Sequence, residues 1–148
     1  ELCLLQCFLE RFIINELVEK AFEKIELTLP ENTYITYVPM YKKKEKRRGF
    51  NQAELIAKKI SEQTGRPVSG LLKKIKDNRS QVGLGPQERV ENVKGVFSLL
   101  KSDFNRTTVL IADDVYTTGA TMNECIKVLK QAGVKNVWGF TLSRKMSI

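Results

Sequence analysis

The chain has no histidine. That absence removes imidazole general bases, histidine-activated nucleophiles and every zinc site that needs a histidine ligand. Cysteine is scarce as well. Cys3, Cys7 and Cys125 cannot build a disulfide framework, and two thiols one helical turn apart are too few for a structural zinc. They read as core cysteines of a protein kept in a reducing cytoplasm. Long apolar runs are missing too. Glu1–Val18 is apolar, but Gln6, Glu10, Arg11 and Asn15 interrupt it, so no membrane span is expected. The same stretch lacks the basic start and small-residue cleavage site of a signal peptide. It opens on Glu1 rather than methionine, as a processed or partial chain does. No G-x-x-x-x-G-K-[ST] loop occurs, which argues against a P-loop metal strand.

What is present fits one domain spanning 1–148. Hydrophobic residues make up 42% and charged residues 28%, an ordinary globular balance rather than a disordered one. The net charge of +8 fits a lysine-rich solvated surface, and equally an anionic partner: phosphate, pyrophosphate or nucleic acid.

Leu2, Leu5, Leu9, Phe12, Ile13 and Leu17 recur at helical spacing and predict an opening helix to about Ile25. Pro30–Asn32 reads as a turn and Tyr34–Val38 as a strand ended by Pro39. Lys42–Arg48 reads as a basic loop. Asn51 is the N-cap of a helix, with Glu54 three residues on in capping-box position and Ala53, Ile56, Ala57 and Ile60 as its buried stripe. Gly65 and Pro67 stop it. A short strand near Val68–Leu72 follows. Residues 73–95 read as a long mobile loop with a short helix near Glu88–Val93. Val96–Leu100, Val109–Ala112 and Val137–Leu142 complete the strands, and the helix around Met122, Cys125, Ile126, Leu129 and Ala132 precedes the last of them. Helices alternating with short apolar strands predict an α/β fold: a doubly wound, mainly parallel sheet flanked by helices.

The most informative stretch runs from Val109 to Thr121. A continuous apolar strand ends in Asp113-Asp114; a hydroxyl-rich loop with one glycine, Thr117-Thr118-Gly119-Ala120-Thr121, then opens a helix. In open parallel sheets ligands sit beyond the carboxyl ends of strands. Two ionised carboxylates are pure acceptors suited to vicinal hydroxyls. Amides and dipole at a helix start favour an anion, and glycine lets the backbone come close. A diol site beside a phosphate site describes a sugar phosphate.

This segment resembles the phosphoribosyl-diphosphate motif of type I phosphoribosyltransferases: four hydrophobics, two acids, a hydrophobic, a spacer, then Thr-Thr-Gly-Ala-Thr. Arg48-Gly49-Phe50-Asn51-Gln52-Ala53 after Val38-Pro39 is similar to the competence-protein-F-like (ComF/GntX) group. Leu71–Lys74, Gln81–Leu84, Glu88-Arg89, Asn92–Gly95 and Phe97 agree with that group, so the resemblance spans about Tyr34–Arg144. Members often carry an N-terminal four-cysteine zinc module; here only Cys3 and Cys7 stand in that region.

The resemblance implies a type I phosphoribosyltransferase-like fold, binding of phosphoribosyl diphosphate and phosphoribosyl transfer to a nitrogen acceptor. Asp113 and Asp114 would hold the ribose hydroxyls and offset positive charge at C1. Thr117, Thr118, Gly119, Ala120 and Thr121 would hold the 5′-phosphate. Lys44, Lys46, Arg47 and Arg48 are the pyrophosphate candidates, and Mg²⁺ would be carried by substrate oxygens rather than by direct protein ligands. The loop containing Arg79, Gln81 and Arg89 would close as a lid, residues 1–30 would form a hood over the acceptor, and Asp114 or Glu88 could act as base. The same resemblance implies a role in DNA uptake, with single-stranded DNA and a competence helicase as partners. Phe50 beside the basic segment is either a stacking platform for bases or a buried helix-entry staple. The apolar first helix is a surface for a homodimer.

Overall fold

A computed structural model describes residues 2–24, 28–78, 83–100 and 108–144. Three parallel strands form the main sheet: β1 (Thr33–Tyr37), β4 (Thr108–Tyr116) and β5 (Asn136–Arg144), in the order β1-β4-β5. Ile35 sits opposite Leu110, and Leu110 opposite Trp138. The central position of β4 explains its run of apolar residues, since a strand covered on both faces has no polar side. Alternation divides that run. Leu110 and Ala112 pack with Ile56, Ala57 and Ile60 of α3 (Gln52–Thr64) and with Ile14 and Val18 of α1 (Leu2–Lys24). Val109 and Ile111 pack with Met122, Cys125 and Leu129 of α5 (Ala120–Gln131). Helices thus cover both faces of a parallel sheet, the doubly wound arrangement expected from sequence.

A second, two-stranded sheet stands apart. It pairs β2 (Leu72–Lys74) antiparallel with β3 (Phe97–Leu99), and α4 (Pro86–Val93) lies between them in sequence. Leu71, Leu72, Val96 and Phe97 join this unit to the α5-side core.

Several expectations need correcting. Lys42–Arg48 is a helix, α2, not a loop. Lysine, arginine and glutamate are good helix formers, the basic residues of the last turn suit the helix dipole, and the left-handed Gly49 (φ 87°) ends it. The strand expected at Val68–Leu72 is a single bridge between Val68 and Ile35, and regular pairing begins only at Leu72. Residues 73–95 are not one loop: Lys73 and Lys74 belong to β2, and α4 starts at Pro86. The stripe expected on α1 is its outer face: Leu9, Phe12, Ile13 and Leu17 are exposed while Ile14 and Val18 are buried. Apolar residues are spread around this helix between its charged ones, so periodicity could not select the side the sheet would take. The α3 stripe is as read. Asn51 caps that helix by accepting the Ala53 N–H at 3.0 Å, whereas Glu54 pairs with Lys58 at 2.8 Å.

Candidate functional site

The carboxyl ends of β1 and β4 and the start of α5 enclose a cavity of about 430 Å³. β4 continues past Ala112 through Asp113 and Asp114 to Tyr116, so both acids lie within the strand rather than beyond it. Both nevertheless line the cavity, together with Thr117, Gly119, Ala120 and Thr121. Asp114 donates its backbone N–H to Asp113 Oδ1 at 2.9 Å, which fixes the Asp113 carboxylate against its own strand. Val38 at the end of β1 supplies a wall. Its position is fixed by Asn51, whose Nδ2 donates to the Val38 carbonyl at 3.0 Å, and by its own N–H to the Ala112 carbonyl at 2.9 Å.

The turn into α5 has one conformational requirement. Gly119 is the N-cap with φ 76°, and a Cβ there would come within 2.7 Å of Tyr116 Cζ. Only glycine satisfies both the left-handed backbone and that approach. Thr118 does not line the cavity; its Oγ1 accepts the Ala120 N–H at 3.3 Å and so shapes the turn. The first turn of α5 opens onto the cavity through Ala120, Thr121 and Met122 and directs the positive end of its dipole there.

The electrostatics of the acids follow from crowding. Asp113 shares the face of Val109 and Ile111, under α5. Burial, then the neighbouring Asp114 carboxylate, push its pKa up to about 8. Without a ligand, ionising both members of the pair is disfavoured. Cys125 lies beneath. Burial, then the charges of Asp113 and Glu124, raise its thiol well above the usual range against the pull of Lys74. It is an inert core cysteine. The side chains of Cys3 and Cys7 lie outside the described set.

Residues 46–147 match the phosphoribosyl transferase domain family. The chain belongs to that family. Within it, the chain falls in the competence-protein-F-like group. It is 40% identical to Competence protein F of Haemophilus influenzae over 82% of this chain and 55% of that protein. It is 28% identical to Competence protein ComFC of Bacillus subtilis, over 89% and 53%. It is 29% identical to DNA utilization protein YhgH of Salmonella typhimurium, over 93% and 60%. The chain thus spans little more than half the length of these relatives. Its fold matches the allosteric regulatory enzyme of purine biosynthesis with a TM-score of 0.53 at 17% identity, over 90% of this chain and 25% of that one.

In this phosphoribosyltransferase domain the basic helix has a mixed disposition. Lys46 lies with Lys42, Glu45 and Gly49 around a shallow outer hollow. Arg47 is exposed. Lys44 pairs with Asp77 at 3.3 Å. Arg48 turns toward α1: it donates to Glu10 at 3.0 Å and lies over the Phe50 ring, 5.6 Å from its centroid, with Arg11 at 5.7 Å. Phe50 is buried beneath these two guanidinium groups, which is the helix-entry role and not a free stacking surface. The Arg-Gly-Phe-Asn-Gln motif therefore does structural duty here: Arg48 and Gln52 both reach Glu10, and Asn51 ties α3 to β1.

Of the lid residues, Arg79 and Gln81 lie outside the described set. Arg89 sits on α4, where its Nε donates to the Leu84 carbonyl at 2.8 Å. Glu88, named as a base, accepts the Gly85 N–H at 2.8 Å and is engaged in capping α4. Sequence reading missed the walls: Val38, Val115, Tyr116 and Met122 line the acid cavity. It also missed a second cavity next to the first, which includes Lys73 and Lys74. Two lysines in a three-residue strand, one of them facing inward, were the available signal.

Proposed function

We propose that the chain binds phosphoribosyl diphosphate together with Mg²⁺ and transfers the phosphoribosyl group to a nitrogen acceptor. One observation carries this reading: two carboxylates and the glycine-opened start of a helix line a single cavity at the carboxyl edge of a parallel sheet. Asp113 and Asp114 would accept the ribose 2′- and 3′-hydroxyls. The turn from Thr117 to Thr121 would take the 5′-phosphate, with Thr118 setting its shape.

The acceptor nitrogen forms a bond to C1 with its lone pair while the C1–O bond breaks. Diphosphate leaves with that electron pair, and the nitrogen gives up a proton to a carboxylate or water. Positive charge that builds on the ring falls near the two acids, which are held in place before reaction and need not reorganise. The donor set fits Mg²⁺. Asp113 and Asp114 offer hard oxygens, and their mutual repulsion is relieved by a cation. Among the described residues no group of three or more acids or cysteines could hold a metal alone, so the ion would rest mainly on substrate oxygens and water. When bound it would supply neutralisation of diphosphate charge.

Calorimetry with phosphoribosyl diphosphate and Mg²⁺ tests the reading. Asp113→Asn/Asp114→Asn should weaken binding at least tenfold, about 1.4 kcal/mol. Equal affinity in the double variant would refute the site.

A second reading draws on the relatives named for competence and DNA utilization: an accessory DNA-uptake protein that binds single-stranded DNA and a helicase. The exposed Lys42, Lys43, Lys46 and Arg47 on α2 favour it. Each phosphate contact should add about −0.7 to the log–log salt slope of oligonucleotide binding, so a flat slope counts against it.

A further inference from the structure

The two edges of the main sheet are finished differently. Beside β1, the Ile35 N–H donates to the Pro67 carbonyl and the Ser69 N–H to the Ile35 carbonyl, both at 2.9 Å, so the Val68 bridge covers the middle of that edge. At the other edge, β5 pairs with β4 alone among the described residues. An open edge invites pairing with another chain, and monomeric proteins blunt it with lysine, proline, a bulge or a very short strand. β5 uses none of these. It is nine residues long, and Asn136–Ser143 carries neither a charge nor a proline. Its register with β4 is constant from Asn136 to Arg144, so no bulge twists it away.

The side chains of this strand add a second signal. Trp138 opposes Leu110 and Phe140 opposes Ala112, so these two, with Leu142, lie on the face that packs α1 and α3. α1 covers only part of that row. The Phe22 ring reaches Phe140, with 6.3 Å between centroids, while Trp138 stays 41% exposed. The pattern is also symmetrical about Phe140. When a second β5 is laid antiparallel beside the first with the two Phe140 residues opposite, each Trp138 faces the other copy's Leu142 on the same side of the sheet. Arg144 then faces Asn136, so no like charges meet within the paired strands. That matters for a chain of net charge +8, whose copies repel each other elsewhere. A foreign strand would not require this symmetry.

We propose that β5 pairs antiparallel with β5 of a second copy, centred on Phe140, and so joins two three-stranded sheets into one across a two-fold axis. The same patch serves both copies, so the assembly closes at two chains and does not grow into a filament. Strand pairing of this length buries less than a large permanent interface, so the dimer is reversible, with a Kd on the order of 10 μM. The carboxyl ends of β4 point in opposite directions in the two copies. Each acid cavity is built from one chain, and the pairing leaves it open.

Sedimentation equilibrium of the full chain from about 1 to 500 μM spans that affinity and measures the mass. Trp138 is the chain's single tryptophan, so its fluorescence reports the proposed contact directly on the same samples. A dimer should form, and the emission should shift to the blue with the same midpoint. Amide hydrogen exchange in β5 should slow at the dimeric concentration. Trp138→Lys places a charge at an exposed position and should weaken association at least tenfold. Leu9→Lys/Phe12→Lys, on the outer face of α1, should leave it within twofold of the parent. A chain that stays monomeric over the whole range overturns the proposal. So does a dimer in which Trp138 emission and β5 exchange do not change, which needs no variant to be measured. Association that survives in a folded Trp138→Lys also overturns it. Loss of the dimer in a folded Leu9→Lys/Phe12→Lys does so too, because the first helix is then the interface. Species that keep growing with concentration overturn the closed two-fold arrangement.

Discussion

Replacing Asp113 by asparagine should make the ligand-free protein more stable while disabling its site. The folded chain holds the Asp113 carboxyl at about 8, against 3.8 for an ordinary aspartate. Between those values the folded state binds more protons than the unfolded state, so stability falls as pH rises through that window. Below about pH 4 the group is neutral in both states and costs nothing. Every tenfold change in proton affinity corresponds to about 1.4 kcal/mol, which sets a ceiling of about 5 kcal/mol near pH 8. Roughly half that ceiling is a sounder figure, because the repulsion is shared with Asp114 and interior charges are screened by relaxation and water. Asparagine keeps the size and the oxygen that accepts the Asp114 N–H, and adds a donor toward the Asp114 carboxylate. We therefore expect Asp113→Asn to gain about 2–3 kcal/mol at pH 7.5, or a Tm rise of roughly 6–10 °C for a chain of this length. The gain should shrink to near zero at pH 4. Urea melts of parent and variant at half-unit pH steps measure this, and the difference between them cancels the titrating groups that do not interact with Asp113, leaving the Asp113–Asp114 pair. A variant no more stable than the parent at pH 7.5, or one whose gain does not depend on pH, would falsify the account of a buried, repelled carboxyl.

Two further substitutions test the scaffold. Asn51→Ala should cost about 2–3 kcal/mol by denaturant melts, from the lost α3 cap and the Val38 carbonyl left without its donor; a loss under half of that would show that the tether is dispensable. Gly119→Ala should weaken binding of phosphoribosyl diphosphate at least tenfold in calorimetry, because the left-handed backbone and the Tyr116 ring cannot both be kept; unchanged affinity would remove the turn from the phosphate site.

The parts of the fold legible in the sequence were those in which one chemical rule acted alone. The continuous run Val109–Ala112 could only be a covered strand, and Ala53, Ile56, Ala57 and Ile60 share one side of a helix by spacing. The Asp-Asp pair and the glycine turn after it stood together in sequence and stand together in space. Where two rules competed, the sequence was ambiguous. The charges of Lys42–Arg48 suggested a solvated loop, while their helix propensity, with Gly49 as a stop, produced a helix. The first helix offered apolar residues on every side, and only the sheet beneath it selected Ile14 and Val18. The second cavity was hidden for a different reason: its walls come from β1, α2, β2 and Leu100, and no local pattern links them.

That contrast in origin has a consequence for how the protein assembles. The acid cavity is cut almost wholly from one strand–turn–helix unit, nine residues between Asp113 and Met122, whereas its neighbour needs four separated stretches to meet. Short-range units form before long-range ones and survive partial opening better. A chain loosened by heat or mutation would then keep a cradle for phosphate after losing the chamber beside it.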